Sequence, residues 1–176
     1  MSKIFDLRFK LHQVHKWASL YPTESDERVK KVIAPEFVNG IISSKMNFSK
    51  SADGRHPAAN PAVRVSNPKD FIEEVTCTAL STSSERLRIE VLTLLNGVSW
   101  PTASVLLHFG YVNLYPILDF RALWSLGVEA SQVRYAFDFW MEYVLFCQKL
   151  AREAEVSMRE LDRALWQYSF EKQRKD

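Results

Sequence analysis

Cysteine is scarce in this chain: Cys77 and Cys147, 70 positions apart, are the only two in 176 residues. Two distant thiols make neither a disulfide framework nor the ligand spacing of a zinc site, and they fit a reducing compartment. Glycine is nearly as scarce, at five, and strand-like alternation is rare, which argues against a β-rich fold. The opening MSKIFDLRFKLHQ is interrupted by charge every few residues, so it reads as neither a signal peptide nor a membrane span. Cytoplasm or nucleoid is the expected location, with no membrane partner. Charge of one sign is also lacking, since the formal net charge is only +2, so composition alone announces no nucleic-acid binder. No internal repeat, P-loop or dinucleotide fingerprint occurs.

What is present is apolar and helical. A hydrophobic content of 47% with 12% aromatics supports one all-α domain over residues 1–176. An amphipathic helix is expected from Lys3 to Leu20, with Leu7, Leu11, Val14 and Ala18 on one face. His12 and His15 sit three apart on it, a spacing open to a metal, but no third ligand can be placed beside them. Thr23 and Asp26 open a second helix, and Pro35 kinks it or starts a new turn through Ile42. Residues 46–67 read as a long basic loop, either functional, with Met46, Phe48 and His56 as its candidate residues, or, more plainly, solvated or disordered. Asn67-Pro68 caps a helix burying Phe71, Ile72, Val75 and Ala79. Thr82 and Glu85 form a capping box for Ser83 to Leu95, whose expected buried face holds Leu87, Val91, Leu94 and Leu95. A long helix is expected from about Ser131 to Ala154, with Asp138 and Glu142 at a solvent edge. Ser157 and Glu160 cap a last helix carrying Leu161, Leu165 and Tyr168.

The chemistry concentrates in residues 95–127, LNGVSWPTASVLLHFGYVNLYPILDFRALWSLG. Asn96-Gly97 is a turn between two helical patterns, and Pro101 suits the first turn of the second helix. Backbone N–H groups at such a turn, with a helix N-terminus behind them, can bind an anion such as a DNA phosphate. Farther on, Asp119 precedes Phe120, Leu123, Trp124 and Gly127, the spacing of one buried helical face. Asp119 therefore stands at a helix N-terminus, where an ordinary N-cap worth about 1 kcal/mol is the plainer role.

Leu95, Gly97, Val98, Thr102, Ala103, Pro116, Asp119 and Leu126 together resemble the helix-hairpin-helix DNA glycosylase superfamily, of the endonuclease III and adenine glycosylase kind. The resemblance covers 33 of 176 residues, and the 22-residue interval from Gly97 to Asp119 is similar to the family's spacing from hairpin to catalytic aspartate. It implies a compact helix-hairpin-helix fold, with Gly97, Val98, Ser99 and Thr102 on the DNA backbone. It further implies that Asp119 is catalytic, and Trp100, Tyr115 and Trp124 are the base-pocket candidates, with Tyr111 and Trp140 also available. The implied partner is double-stranded DNA. No iron–sulfur cluster is implied, and the one candidate ion is a monovalent cation at the hairpin when DNA is bound.

The sequence departs from the family in two places. Ser99, followed by Trp100, replaces the second glycine of the hairpin. Pro101 occupies the position of the Schiff-base lysine of bifunctional members, so amine-based lyase chemistry is excluded there. The expectation is a monofunctional glycosylase in which water attacks the sugar. The alternatives are a helix-hairpin-helix module that binds DNA or protein without chemistry, and a helical protein-binding protein with no nucleic-acid role.

Overall fold

The computed structural model describes residues 4–22, 67–111 and 113–173. The helix expected after Thr23 and nearly all of the basic loop, with Met46, Phe48 and His56, lie outside the described residues. All regular structure described is helical, without strands: α1 (Val14–Ser19), α2 (Lys69–Ser81), α3 (Glu85–Leu92), α4 (Trp100–Gly110), α5 (Phe120–Ser125), α6 (Phe137–Glu153) and α7 (Met158–Lys172). Two single 3-10 turns, Leu11–Gln13 and Ala130–Gln132, accompany them. No helix among the described residues is long and apolar enough to cross a membrane.

The chain forms two compact units, one of Met1–Ser25 with Tyr111–Asp176 and one of Asp26–Gly110. In the first, the terminal unit, α7 is the hub onto which α1, α5 and α6 pack. Ser157 accepts from the Glu160 amide while the Glu160 carboxylate accepts from the Ser157 amide, the reciprocal cap expected from the sequence. Leu161 and Leu165 are fully buried, as are Trp140 and Tyr143 of α6. α6 starts at Phe137 rather than near Ser131, because residues 130–132 close a separate 3-10 turn. Asp138 and Glu142 face solvent.

The N-terminal helix is much shorter than its periodicity suggests. Orphan carbonyls at the C-terminal end of α5 draw in residues 4–10: Asp6 N–H donates to Leu126 O and Arg8 N–H to Ser125 O, each at 2.9 Å. Phe5, Phe9, Val14 and Trp17 are buried, in place of the expected Leu7, Leu11 and Ala18. Phe5 alone meets Phe139, Tyr143 and Phe146 within 6 Å between ring centroids. Gly127 makes this pairing possible, since its φ is +78° and a Cβ there would sit 3.2 Å from Asp6 O.

In the central unit α2 packs on α3 and α3 on α4. Pro68 is the N-cap of α2, one position before its expected place, and Asn67 has a different task, described below. Ser84, not Thr82, caps α3, accepting from the Leu87 amide at 3.3 Å. Its buried face is also partly rotated: Val91 and Leu95 are buried as expected, but Leu87 and Leu94 are exposed, and Arg88, Ile89 and Leu92 are buried. Arg88 explains the rotation. Its guanidinium donates to the Ala79 and Thr82 carbonyls, satisfying the C-terminal end of α2 that would otherwise be left unpaired.

Replacing Gly127 with alanine forces a side chain into left-handed backbone and against the Asp6 carbonyl. Gly127→Ala is expected to cost about 1–2 kcal/mol, read as a lower urea midpoint with an unchanged m-value.

Candidate functional site

The sequence-predicted site residues fall in both units. Gly97, Val98, Ser99, Trp100 and Thr102 lie in the central unit; Tyr115, Asp119 and Trp124 lie in the terminal one.

The turn between α3 and α4 follows the chemistry of its residues. Gly97 takes φ +86°, a conformation that favours glycine, and stands exposed. Val98 is buried, and its N–H closes the turn on Leu95 O at 3.0 Å. Asn67 braces the turn from outside: its Nδ2 donates to Asn96 O at 3.1 Å, and its Oδ1 accepts from Asn96 N–H at 2.8 Å. Exposed Ser99 accepts from the Ala103 amide at 2.8 Å, and its hydroxyl lies 3.3 Å from that of Thr102. The N–H groups of Gly97, Ser99 and Trp100 make no backbone hydrogen bond among the described residues. Open amides beside a helix N-terminus are groups of the kind that bind anions.

Asp119 ends a segment that is fixed peptide by peptide. Gln148 donates to Leu114 O at 2.9 Å. Tyr115 is buried and stacks on Trp140 at 5.8 Å and 20°, with Tyr111 edge-on. The Ile117 peptide is then held on both sides. Its N–H is shared between the two Asp162 oxygens, 3.2 Å from each, and its carbonyl accepts from Tyr143 Oη at 2.7 Å and from the Asp119 amide at 3.0 Å. Asp119 emerges as the N-cap of α5, and its carbonyl accepts from Leu123.

Its side chain does not behave as an ordinary cap. No cap hydrogen bond forms, and Oδ2 is out of solvent without a partner. Burial pushes the carboxyl above the usual carboxylate range; the Arg121, Phe120 and Ala122 amides and the Arg121 guanidinium pull it down without cancelling the effect. Tyr135 is an electrostatic neighbour, its phenol raised first by burial and then by the Asp119 charge. Tyr135 and Arg121 are functional candidates the sequence reading does not single out. Tyr135 lies 16 positions from Asp119 in an irregular segment and carries no sequence signal, whereas Arg121, two residues on, was within reach of a local reading.

Trp124 lies beneath the Arg8 guanidinium, 4.3 Å from its ring centroid, and beside Tyr168. Trp100 is half-buried as the first residue of α4. Cys147 is buried, and burial raises its thiol well above the usual range, which removes it as a nucleophile. His12 and His15 are exposed; His15 Nδ1 lies 3.8 Å from Glu160 Oε1, and no group of three metal-binding side chains is assembled among the described residues.

Comparison with protein-family models, with curated protein sequences and with solved structures finds no match to this chain.

The raised pKa of Asp119 sets a stability prediction. The folded state keeps this proton to a higher pH than the unfolded chain, so stability falls as pH rises from the ordinary aspartate range through the folded value. Asparagine caps as well as aspartate and carries no charge to desolvate. Asp119→Asn is therefore expected to be more stable than wild type at pH 7, by about 0.5–2 kcal/mol as is usual for relieved functional sites, with the difference vanishing near pH 3. Urea melts at both pH values check this; destabilisation at both would show that the carboxylate is a simple structural cap.

Proposed function

We propose that this protein is a monofunctional DNA N-glycosylase in which Asp119 carries the chemistry. The observation behind this reading is the desolvated, unpartnered Oδ2 of Asp119 on a rigidly clamped segment. A carboxylate kept out of water stabilises nearby positive charge far better than a solvated one. Its raised affinity for a proton also suits it to act as a base closer to neutral pH.

In the proposed reaction the bond between sugar C1′ and the base nitrogen breaks, and its electron pair leaves with the base. Positive charge develops on the sugar facing Asp119. The oxygen of a water molecule bonds to C1′, and that water's proton passes to the Asp119 carboxylate. Pro101 offers no amine, so the abasic sugar is the end product. Extruding the nucleotide costs a few kcal/mol, least at a damaged or mispaired base, which supplies part of the selectivity. The Gly97, Ser99 and Trp100 amides would receive a backbone phosphate of duplex DNA. Leu95 O and Asn96 O accept hydrogen bonds from Val98 and Asn67, and the monovalent cation that the resemblance implies at the hairpin is given no step in this reaction.

A DNA-binding module without chemistry is the second reading. It is favoured by the hydroxyl contact between Ser99 and Thr102 at the place where a second glycine would let a phosphate approach the backbone closely.

Base release from oligonucleotides carrying uracil, alkylated, oxidised, deaminated and mismatched bases separates the two. Wild type should release one class of base, with strand cleavage only after alkali. Asp119→Asn should lose about 100-fold or more of that activity while DNA affinity stays within about twofold. Salt-dependent DNA binding without release would leave the binding module, and strand cleavage without alkali would refute the water mechanism.

A further inference from the structure

Residues 4–10 form a strap that acts on both ends of α5. At the C-terminal end, Asp6 N–H donates to Leu126 O and Arg8 N–H to Ser125 O, each at 2.9 Å. Arg8 is fixed in turn by its ion pair with Glu129 and by the Tyr168 hydroxyl, which donates to Arg8 O at 3.0 Å. At the N-terminal end the strap acts through Phe5. Its buried ring lies 5.9 Å from that of Tyr143, with Phe139 and Phe146 at 5.5 and 5.6 Å. The Tyr143 hydroxyl donates to Ile117 O at 2.7 Å, and the same carbonyl accepts from the Asp119 amide at 3.0 Å.

We propose that residues 4–10 position the Asp119 carboxylate, with Phe5 as the positioning residue and Tyr143 as the link. A six-residue helix is too short to hold its own place, so the direction of Asp119 depends on what holds the ends of α5. One segment of chain reaches both. Its backbone fixes the C-terminal end, and its Phe5 ring fixes the tyrosine that holds the peptide two residues before Asp119. The anchors from α7, Asp162 on the Ile117 N–H and Leu165 O on the Ser125 hydroxyl, act on other atoms. Tyr143 is also an electrostatic neighbour of Asp119, as are Tyr135 before α6 and Arg121 on α5. A shift of its ring therefore changes both where the carboxylate lies and how strongly it holds a proton. Burial keeps the Tyr143 phenol protonated far above neutral pH, so it remains a donor to Ile117 O throughout the working range. The consequence for turnover rests on the base-excision reading of Asp119, in which a misplacement of about 1 Å costs up to about 100-fold.

The test follows the Asp119 carboxyl of the full chain by carbon-13 NMR against pH, with Asp119→Asn identifying the resonance, and measures base release beside it. Phe5→Ala opens space beside Tyr143, and Gly127→Ala pushes on the Asp6 carbonyl at the other anchor. Each should shift the Asp119 midpoint by about 0.5 pH or more and lower kcat about 10-fold, with KM within about twofold. Phe5→Leu, which refills the space, should restore most of both. Val14→Ala trims an equally buried side chain on α1 and should change neither. If Phe5→Ala loses its fold by circular dichroism, Gly127→Ala and Asp6→Pro, which removes one strap hydrogen bond, carry the test. A midpoint that the folded strap variants leave unchanged, or that Val14→Ala moves as far, would overturn the positioning role. If wild type releases no base, the glycosylase reading fails, while the midpoints still decide whether the strap sets Asp119.

Discussion

Much of the terminal unit depends on one peptide group, the amide plane at Ile117. Its N–H is held by Asp162 and its carbonyl by Tyr143, and both anchoring side chains are buried. Buried peptide groups must be paired, and this one, in a segment without secondary structure, has no helical neighbour to pair it. Side chains from α6 and α7 do so instead. The burial of Asp162 is offset by that hydrogen bond and by Arg159, 4.0 Å away on the same helix. Asp119 hangs two residues beyond the clamp, so its position is inherited from two long helices rather than from secondary structure of its own segment.

Asp119 carries the opposite electrostatics to Asp162. Asp162 is buried and satisfied; Asp119 keeps a buried oxygen unsatisfied although three amides of α5 lie close by. Buried carboxylate oxygens without a partner recur at functional sites. Arg121 acts on both sides of this arrangement: its charge moderates Asp119, and its guanidinium covers the Trp166 and Phe170 rings of α7.

Local signals in the sequence were legible wherever they sufficed. The Ser157 and Glu160 cap, Pro101 in the first turn of α4, Gly97 in the hairpin and Asp119 at the start of α5 all stand where propensity and capping chemistry put them. Readings failed where a distant partner outbid a local one. Residues 4–10 leave the helical pattern because α5 offers them two open carbonyls, and α3 rotates because Arg88 is needed at the end of α2. Asn67 reads as a cap but braces a turn 29 residues away. For the site, the aspartate was legible from its position before an apolar helix. Tyr135, Tyr143 and Asp162 were not, since nothing in their local sequence records that folding brings them to residues 117–119.

The register of α7 ties these features together. Its cap fixes where the helix begins, and 3.6 residues per turn then decide which side chains look inward. Leu161, Asp162 and Leu165 fall on the buried side, while Arg163, Trp166 and Phe170 fall on the other. A shift of one residue rotates every side chain by about 100°, which would take Asp162 away from the Ile117 amide and turn Trp166 and Phe170 off their side together. The clamp behind Asp119 and the aromatic face of α7 are therefore specified by one decision, made at Ser157 and Glu160. The two faces are thus coupled through the phase of this helix.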